Sequence, residues 1–336
     1  MNAAVEAHEP PAPATLMLAT CNLLNLAAPG RVFYDNQEPY DADEYARKVA
    51  WLGATLRRLN ADVVALQEVW DEAALRDAIA ASGLRYPHLF APGTEQGALG
   101  TPRVGLASRC RVIEVASHRE FAPAQTVSVP ELGEYGAFER PVLEALIDLP
   151  GERGTLRALV VHLKSKRPKF LQDAAGNPTE DRDDPAIVAR AQLRSLVMRA
   201  AEAAALRALV VQRLAGTREP LVLMGDLNDG PHAMTTQIVA AAQSVAFDRA
   251  ARDTALFHAL DLQTEASIRR DIAYSHLHQG WPEVLDQIWV SEEFVAASKF
   301  ALGDVRRVEI FNDHLHEGRE RTRSDHGFVR ALLRLR

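Results

Sequence analysis

Short apolar runs rich in β-branched residues alternate with amphipathic stretches along most of the chain. A run of this length is typical of a buried β-strand, and alternation with helical patterns is typical of α/β proteins. We therefore predict an α/β chain. The predicted strands are 16–22, 63–66, 104–107, 142–149, 156–161, 221–224, 287–290 and 328–335.

Helical periodicity is found at 42–59, 72–81, 185–214 and 232–246. The longest stretch opens on Pro185, which suits the first turn of a helix, and its apolar residues recur at helical spacing. A helix packed on a sheet explains this pattern. A coiled coil is disfavoured because the heptad repeat is not sustained.

The chain is predicted to form one folded domain. Residues 1–14, rich in Ala, Pro and Glu, cannot bury an apolar face and are expected to form a flexible N-terminal arm. Residues 15–336 then form a single domain. An inserted loop, 166–184, and the long helix that follows make up an insertion at about 166–214.

Composition and charge restrict the class of protein. With 336 residues, 47% hydrophobic and 25% charged, the chain has the composition of a soluble globular protein rather than a disordered or fibrous one. A net charge of −7 argues against a dedicated nucleic-acid binder with a basic surface, although it allows an enzyme with a local basic groove.

Two further features bear on the compartment. No apolar run approaches the roughly 18 residues of a membrane span, and the N-terminus lacks a secretory signal pattern, so a cytoplasmic location is expected. Cys21 and Cys110 form no CxxC motif, which excludes a disulfide scaffold and a cysteine zinc site. Both are predicted to be buried thiols in a reducing compartment.

Polar residues occur where the predicted strands end or begin. Asn22, Glu68, His162 and the pair Asp226 and Asn228 follow apolar strands, whereas Asp286 and the pair Asp325 and His326 precede two later strands. If the later strands run antiparallel to the earlier ones, all these side chains meet at one edge of a mixed sheet.

Each of these residues also has an ordinary structural interpretation. Glu68 could cap the next helix, Asp226 and Asn228 could belong to a turn, and His162 could be a hydrogen-bonded structural histidine. Together, however, they supply an oxygen-rich site for a hard cation and two imidazoles.

Such a site suits hydrolysis of a phosphate ester. Mg²⁺ neutralises charge on the phosphate, and a carboxylate or histidine takes the proton of the attacking water. The neutral carboxamide of Asn228 can orient that water without adding negative charge beside the phosphate.

The order of these motifs resembles the endonuclease/exonuclease/phosphatase (DNase I-like) superfamily. The series reads ATCNLLNL, LQEVW, LASR, ERP, VVHLKS, MGDLND, LDQIWVS and SDH, and it covers nearly the whole chain. The resemblance implies a four-layer α/β sandwich, with two mixed β-sheets packed face to face and helices outside, and a phosphoesterase that uses Mg²⁺ or Mn²⁺. The chain departs from the common pattern at Cys21, at GDLN and in the 166–214 insertion, which weakens substrate inference.

The resemblance also implies roles for individual residues. Glu68 would be the direct metal ligand, Asp226 would activate the water, and Asp286 would orient the phosphate-facing His326. The resemblance assigns Asn22, Glu68 and Asp325 to the metal site and Arg140 to phosphate contact. It assigns to catalysis the residues His162, Asp226, Asn228, Asp286 and His326.

Two basic clusters flank the inferred site. They are Lys164, Lys166, Arg167 and Lys169, and Arg319, Arg321 and Arg323. Either they are solvated loops, or they bind substrate phosphates, with Lys164 as a candidate contact. The HLH triplets place His276 beside His278 and His314 beside His316; we interpret them as loop or substrate-contact histidines rather than a zinc site.

Three functional hypotheses follow. The first is a metal-dependent phosphodiesterase, foremost a nuclease, with a phosphoester such as nucleic acid as partner and no obligate protein partner. The second is a phosphatase or phosphodiesterase acting on a small-molecule or lipid phosphoester. The third is a non-catalytic binding module of the same fold, disfavoured because Glu68, Asp226 and His326 are all present.

Overall fold

Two mixed sheets of six strands each form the centre of the structure, a computed structural model that describes residues 14–34, 36–93, 102–241, 249–265 and 272–336. The strands are β1 Ala14–Leu26, β2 Val63–Val69, β3 His88–Phe90, β4 Arg103–Ser108, β5 Val112–Glu120, β6 Val127–Val129, β7 Gly133–Tyr135, β8 Ala137–Asp148, β9 Thr155–His162, β10 Leu221–Asp226, β11 Phe257–His258, β12 His276–His278, β13 Trp281–Glu283, β14 Asp286–Val290, β15 Gly303–Phe311 and β16 Phe328–Leu335. The helices are α1 Ala42–Leu59, α2 Glu72–Ser82, α3 Pro185–Leu214, α4 Met234–Ala240 and α5 Ala259–Leu262.

The two sheets have mixed strand directions. The first has the order β15-β16-β1-β2-β4-β3 and the second β11-β14-β10-β9-β8-β5. β1 runs parallel to β2, and β9 runs parallel to β10. β16 is antiparallel to β1, and β14 is antiparallel to β10, as the positions of the acids predicted.

Of the four apolar clusters among the described residues, three separate the four layers of the fold. Along β1, Leu16 and Leu18 pack between the sheets, whereas Ala19 and Cys21 face α1 and α2. On the other side, Leu206 of α3 joins apolar residues of β9 and β10. Since full burial of one such side chain contributes about 1.5–3 kcal/mol, these clusters hold helices to the outer faces. The predicted four-layer α/β sandwich is confirmed.

Helix ends are fixed by local chemistry. Asp41 and Glu44 form a capping box at the start of α1, and Asn60 ends that helix in the left-handed conformation. Asp184 accepts the Ala186 N–H at 2.7 Å, and Pro185 occupies the first turn of α3. The 185–214 helix is therefore confirmed at its predicted bounds.

A buried arginine attaches α3 to the inserted loop. Arg194 is fully buried and donates hydrogen bonds to Glu131 and Glu180, with the Nε to Glu131 distance at 2.7 Å. Removing one partner of such a buried pair leaves an uncompensated charge, so this contact fixes the insertion against the domain.

The structure corrects several bounds. β1 begins at Ala14, which pairs with Leu335, so the predicted flexible arm is wrong at that residue; residues 1–13 lie outside the described residues. The helix predicted at 232–246 begins at Met234 and ends at Ala240, because Ala241 is left-handed (φ +49°), and residues 242–246 are outside the described part. Cys21 is buried as predicted, but Cys110 is only half-buried. Among the helices of the described ranges, none is long and apolar enough to cross a membrane.

Candidate active site

Three polar side chains are aligned by strand register at one edge of the second sheet. Asp226, the last residue of β10, pairs with His162 at the end of β9 and with Asp286 at the start of β14. The predicted antiparallel direction is confirmed for β14 and β16, but the prediction of one edge of a single sheet is wrong, because β16 lies in the first sheet and Asp325 and His326 come to the site from there. Rigid strand ends hold these side chains in fixed positions.

The first sheet contributes Asn22 and Glu68 through irregular backbone. The β1–β2 register shifts after Asn22, and Glu68 has a φ of +61°. The prediction that the strand ends at Asn22 is wrong, because β1 continues to Leu26 through Leu24 and Asn25, both with positive φ. Such conformations cost about 1–3 kcal/mol for each non-glycine residue and are concentrated at functional sites.

Asn22 links carboxylates of the two sheets. Its Nδ2 donates to Oδ2 of Asp226 at 3.1 Å and to Oε1 of Glu68 at 3.4 Å, while its Oδ1 accepts the Leu24 N–H at 3.1 Å. In this geometry the Asn22 carboxamide lies between the carboxylates of Glu68 and Asp226. Direct ligation of a metal by Asn22 stays a prediction.

Asp226 lies at the centre of the cluster. Its Oδ2 is 3.4 Å from Nε2 of His162 and 4.0 Å from Nε2 of His326, and its Oδ1 accepts the Asn228 N–H at 2.8 Å. Asn228 has a φ of +54°, and its Nδ2 donates to the Leu163 carbonyl at 2.9 Å. Burial raises the pKa of Asp226, which suits a group that takes up a proton.

The two histidines have opposite electrostatic surroundings. Burial alone would lower the pKa of His326, but the carboxylate of Asp286, hydrogen-bonded to Nδ1 at 2.7 Å, raises it well above the usual value. Burial lowers the pKa of His162, and Arg140 lowers it further. His326 is thus the cationic imidazole and His162 the neutral one.

Glu68 and Asp325 form an acid pair beside these histidines. Burial raises the pKa of Glu68, and the charge of Asp325 raises it further. Within the described part of the chain, no lysine or arginine nitrogen forms a salt bridge with either acid, and Oδ1 of Asp325 is buried without a hydrogen-bond partner. Carboxylate oxygens left in this state fit a Mg²⁺ or Mn²⁺ ion.

Lys48 is a buried lysine that interacts electrostatically with that acid pair. It is fully buried on α1, and its Nζ donates to the Arg321 carbonyl at 3.3 Å. Burial lowers its pKa to about 7, although Glu68 and Asp325 raise it. Lys48 is therefore only partly charged near neutral pH and does not fully neutralise the two acids.

A second set of potential ligands consists of Asp226, Asp286 and His326. One ligand atom from each lies within 4.8 Å of the others, and all three residues are buried. Because the Asp286–His326 hydrogen bond already uses two of these groups, we interpret this set as a proton-holding unit. Direct metal binding by Glu68 and Asp325 stays a prediction, as it does for Asn22.

Arg140 and Lys164 lie beside His162. Arg140 is buried, and its Nε and Nη2 donate to the carbonyls of His162 and Leu163 at 2.9 and 2.6 Å. Lys164 is also buried, and its Nζ has only long contacts of 3.4 Å to Ser165. Burial lowers the pKa of Lys164, and the charge of Glu139 opposes this effect.

Several basic side chains of the two clusters have acidic partners. Lys166 pairs with Asp229 at 3.7 Å and with Glu283, and Arg321 pairs with Glu44 at 3.6 Å. Arg323 pairs with Glu317 and Glu320. These three cations are therefore less available to substrate phosphates than unpaired cations would be.

The HLH histidines lie around His326. The His276 ring lies 4.9 Å from that of His326, and His314 contacts the His326 carbonyl through Nε2 at 2.9 Å. His316 contacts the Tyr274 hydroxyl. Neither pair belongs to a cluster of three potential metal ligands among the described residues, and their interpretation as loop or substrate-contact histidines stays a prediction.

Two residues that support the site were not identified from the sequence. Glu202 of α3 is buried and accepts hydrogen bonds from the Tyr135 hydroxyl (2.7 Å) and from the N–H groups of Glu139 (2.9 Å) and Lys164 (2.6 Å). Ser324 donates to the Asn22 carbonyl at 2.6 Å and accepts the His326 N–H at 3.0 Å. An acid within the apolar stripe of α3 was the available signal for Glu202.

Fold and site together define an α/β sandwich with acids, amides and two histidines at one edge of its paired sheets. A family model described as "Endonuclease/Exonuclease/phosphatase family" matches residues 19–326. The chain belongs to this family, whose members usually hydrolyse phosphoester bonds with the help of divalent metals. No curated protein matches the chain.

Solved structures support the fold. An endonuclease/exonuclease/phosphatase from Bacteroides vulgatus superposes with a TM-score of 0.56 at 14% identity, covering 96% of this chain and 100% of that one. A humanised D. rerio TDP2 gives 0.55 at 15% identity, with 95% and 98% covered. The human Nocturnin catalytic domain with bound sulfate gives 0.55 at 17% identity, with 95% and 94% covered.

Proposed function

We propose that this chain is a hydrolase of phosphoester bonds that depends on Mg²⁺ or Mn²⁺. The observation that carries the proposal is the position of Asp226, whose Oδ2 lies within 4.0 Å of Asn22 Nδ2, His162 Nε2 and His326 Nε2. An acid held between amide and imidazole groups can take a proton from water directed at a bound phosphate.

Glu68 and Asp325 are the residues proposed to hold the metal, and they fit it because two neighbouring carboxylates lack a lysine or arginine salt-bridge partner within the described residues. The bound ion would supply charge neutralisation at the phosphate oxygens. Asn22 keeps Glu68 and Asp226 apart, which separates the metal-binding acid from the water-activating acid.

The remaining residues act on the phosphate and the water. Protonated His326 stabilises negative charge on the phosphate, and Asp286 holds its ring and its proton. Asn228, fixed by the Leu163 carbonyl, orients the attacking water. We assign His162, which is 3.4 Å from Asp226, to a hydrogen bond with the leaving oxygen, and Arg140 and Lys164 to attraction of the phosphate.

The proposal is tested by a substrate panel with Mg²⁺, Mn²⁺ or EDTA. Plasmid, single-stranded DNA and RNA test for nuclease activity, and bis-p-nitrophenyl phosphate, p-nitrophenyl phosphate, sphingomyelin and inositol phosphates test for other phosphoesterases. Asp226→Asn should lower kcat by about 10²–10⁴, which assigns any activity to this protein. No metal-dependent hydrolysis of any substrate would refute the proposal.

A small or lipid phosphoester is the second candidate substrate. It is favoured by the ion pairs that Lys166, Arg321 and Arg323 make with acids of the protein, because those cations are then not available along a polyanion.

A further inference from the structure

A pocket of about 510 Å³ adjoins the candidate active site. We name it the Tyr40 pocket. Its walls are Leu24 and Asn25, residues 36–38 and Tyr40, Leu277, and residues 314, 315, 318–321, 324 and 325. This volume is within the range of about 300–1,000 Å³ found for small-molecule sites.

The pocket is continuous with the site through residues that belong to both. Asp325 and Ser324 line it, and Ser324 also holds Asn22 and His326 in place. The N–H of Asn25 donates to Oε2 of Glu68 at 2.9 Å. A group attached to a phosphate at Glu68 and Asp325 can therefore extend into the Tyr40 pocket.

Backbone strain also lies at this junction. Leu24 and Asn25, two consecutive non-glycine residues, have φ values of +48° and +54°. The Asn25 carboxamide is held by Trp70 Nε1, which donates to Oδ1 at 3.0 Å. Strained backbone held by specific contacts is typical of ligand-binding positions.

The lining combines apolar walls with carboxamides. Leu24, Leu277 and Leu315 supply apolar surface, while the exposed side chains of Asn36 and Gln37 supply hydrogen-bond donors and acceptors. A flat heterocycle has apolar faces and polar edges and suits this combination. A polyol does not, since hydroxyl groups against the leucines would lose their hydrogen bonds to water.

Charge in the pocket is nearly balanced. The acids Glu38, Glu320 and Asp325 line it together with Arg319 and Arg321. Glu320 pairs with Arg323 at 3.3 Å, and Arg321 pairs with Glu44 at 3.6 Å. A polynucleotide needs successive cations for successive phosphates. The pocket therefore favours an uncharged group over a further phosphate.

We infer that the Tyr40 pocket binds the nucleoside of a monomeric nucleotide ester whose phosphate is hydrolysed at the adjoining site. This inference rests on the proposed function and narrows its substrate class. A nucleic-acid polymer is the competing outcome of the test.

The experiment compares the p-nitrophenyl ester of thymidine 5′-monophosphate with methyl p-nitrophenyl phosphate. The wild type should favour the nucleotide ester by at least about tenfold in kcat/KM. Leu315→Trp, which fills the pocket, should remove this preference mainly through KM, as expected when ground-state and transition-state binding are lost together. Gln37→Ala, at an exposed position, gives a second variant if Leu315→Trp does not fold.

Matched controls are available on α3. Leu196 and Gln212 are exposed and lie outside the pocket, so Leu196→Trp and Gln212→Ala should keep the wild-type preference. Equal kcat/KM for the two esters in the wild type would overturn the inference. A tenfold or greater rise in kcat/KM from a dinucleotide to a twelve-residue oligonucleotide would also overturn the inference, because it would favour a nuclease that acts on a polymer.

Failure of the proposed function has a different signature. If no ester is hydrolysed in the presence of metal, the pocket is tested by calorimetric titration with thymidine 5′-monophosphate and Mg²⁺. Binding to the wild type that is lost in Leu315→Trp supports the pocket without any activity. No binding to the wild type overturns the inference.

Discussion

Nδ1 of His326 donates a hydrogen bond of 2.7 Å to Oδ2 of Asp286, a residue with no exposed surface. Asp286 begins β14 in one sheet, and His326 precedes β16 in the other, so this bond joins the two sheets at the site. It fixes the tautomer and leaves Nε2 of the imidazole on the side of Asp226, 4.0 Å away.

The first prediction is that Asp286 and His326 act as one unit. Asp286→Asn keeps the shape of the side chain but removes its charge, and His326→Ala removes the imidazole. Each should lower kcat/KM by about 10²–10³, and the double variant should cost little more than His326→Ala alone. The measurement is a double-mutant cycle with the best substrate. Losses that multiply would contradict a paired function.

The same pair predicts a direction for pH dependence. The pKa of His326 is raised in the folded protein by Asp286, so the cation persists through neutral pH and is lost as pH rises through that pKa. Asp286→Asn lowers this pKa, so the alkaline limb of the kcat/KM profile should move to lower pH. An alkaline limb at the wild-type position would mean that His326 is not the titrating group.

The second prediction concerns Glu68. Glu68→Gln keeps size and hydrogen-bonding capacity but removes the charge beside Asp325, so affinity for Mg²⁺ should fall by at least about tenfold while the fold is kept. Calorimetric Mg²⁺ titration measures this without reference to activity. Glu114→Gln changes an exposed acid of β5 and should bind Mg²⁺ as the wild type does. Equal affinity in Glu68→Gln would make Glu68 a structural acid.

Much of this site could be predicted because its side chains lie at the ends of buried strands. The runs that precede Glu68, His162 and Asp226 are apolar and short. The hydrophobic pattern and the length of each run were therefore sufficient to predict a buried strand. Asp286 begins β14 and His326 precedes β16. Because these strands run antiparallel to β10 and β1, both side chains reach the site.

Edge strands could not be predicted in the same way. β5 and β15 lie at the edges of their sheets and carry charged residues such as Glu114, Arg119 and Arg307. Edge strands commonly carry charges because these discourage pairing with other chains, and the charges weaken the apolar signal. The extension of β1 past Asn22 could not be predicted, because Leu24 and Asn25 are not glycines, the residue type that would have indicated a positive φ.

The third prediction concerns Glu202. Its carboxylate accepts three hydrogen bonds that fix the backbone beside Arg140 and at Lys164. In Glu202→Gln one acceptor becomes an NH₂ group that faces donors, so we expect a loss of about 1–3 kcal/mol in the free energy of unfolding. Because Arg140 and Lys164 lose their support, KM for the phosphoester should rise more than kcat falls.

Denaturant unfolding and steady-state kinetics measure the two effects of Glu202→Gln separately. Glu134→Gln changes an exposed acid in the neighbouring β7 strand and should affect neither quantity. A lower free energy of unfolding together with a wild-type KM would assign Glu202 a purely structural function.

The last prediction concerns Gly225, which precedes Asp226 in β10. Its φ is +152°, and a Cβ at this position would overlap the carbonyl oxygen of Val161 and lie 2.9 Å from its carbonyl carbon. Gly225→Ala should therefore push β10 from β9, cost about 2–3 kcal/mol in the free energy of unfolding and lower kcat by displacing Asp226. Gly230 is the matched control, because nothing lies within 4 Å of a Cβ there, and Gly230→Ala should unfold at the wild-type denaturant concentration or slightly above it. If the two variants unfold at the same midpoint, close approach of the strands at Gly225 is not what positions Asp226 between His162 and Asp286.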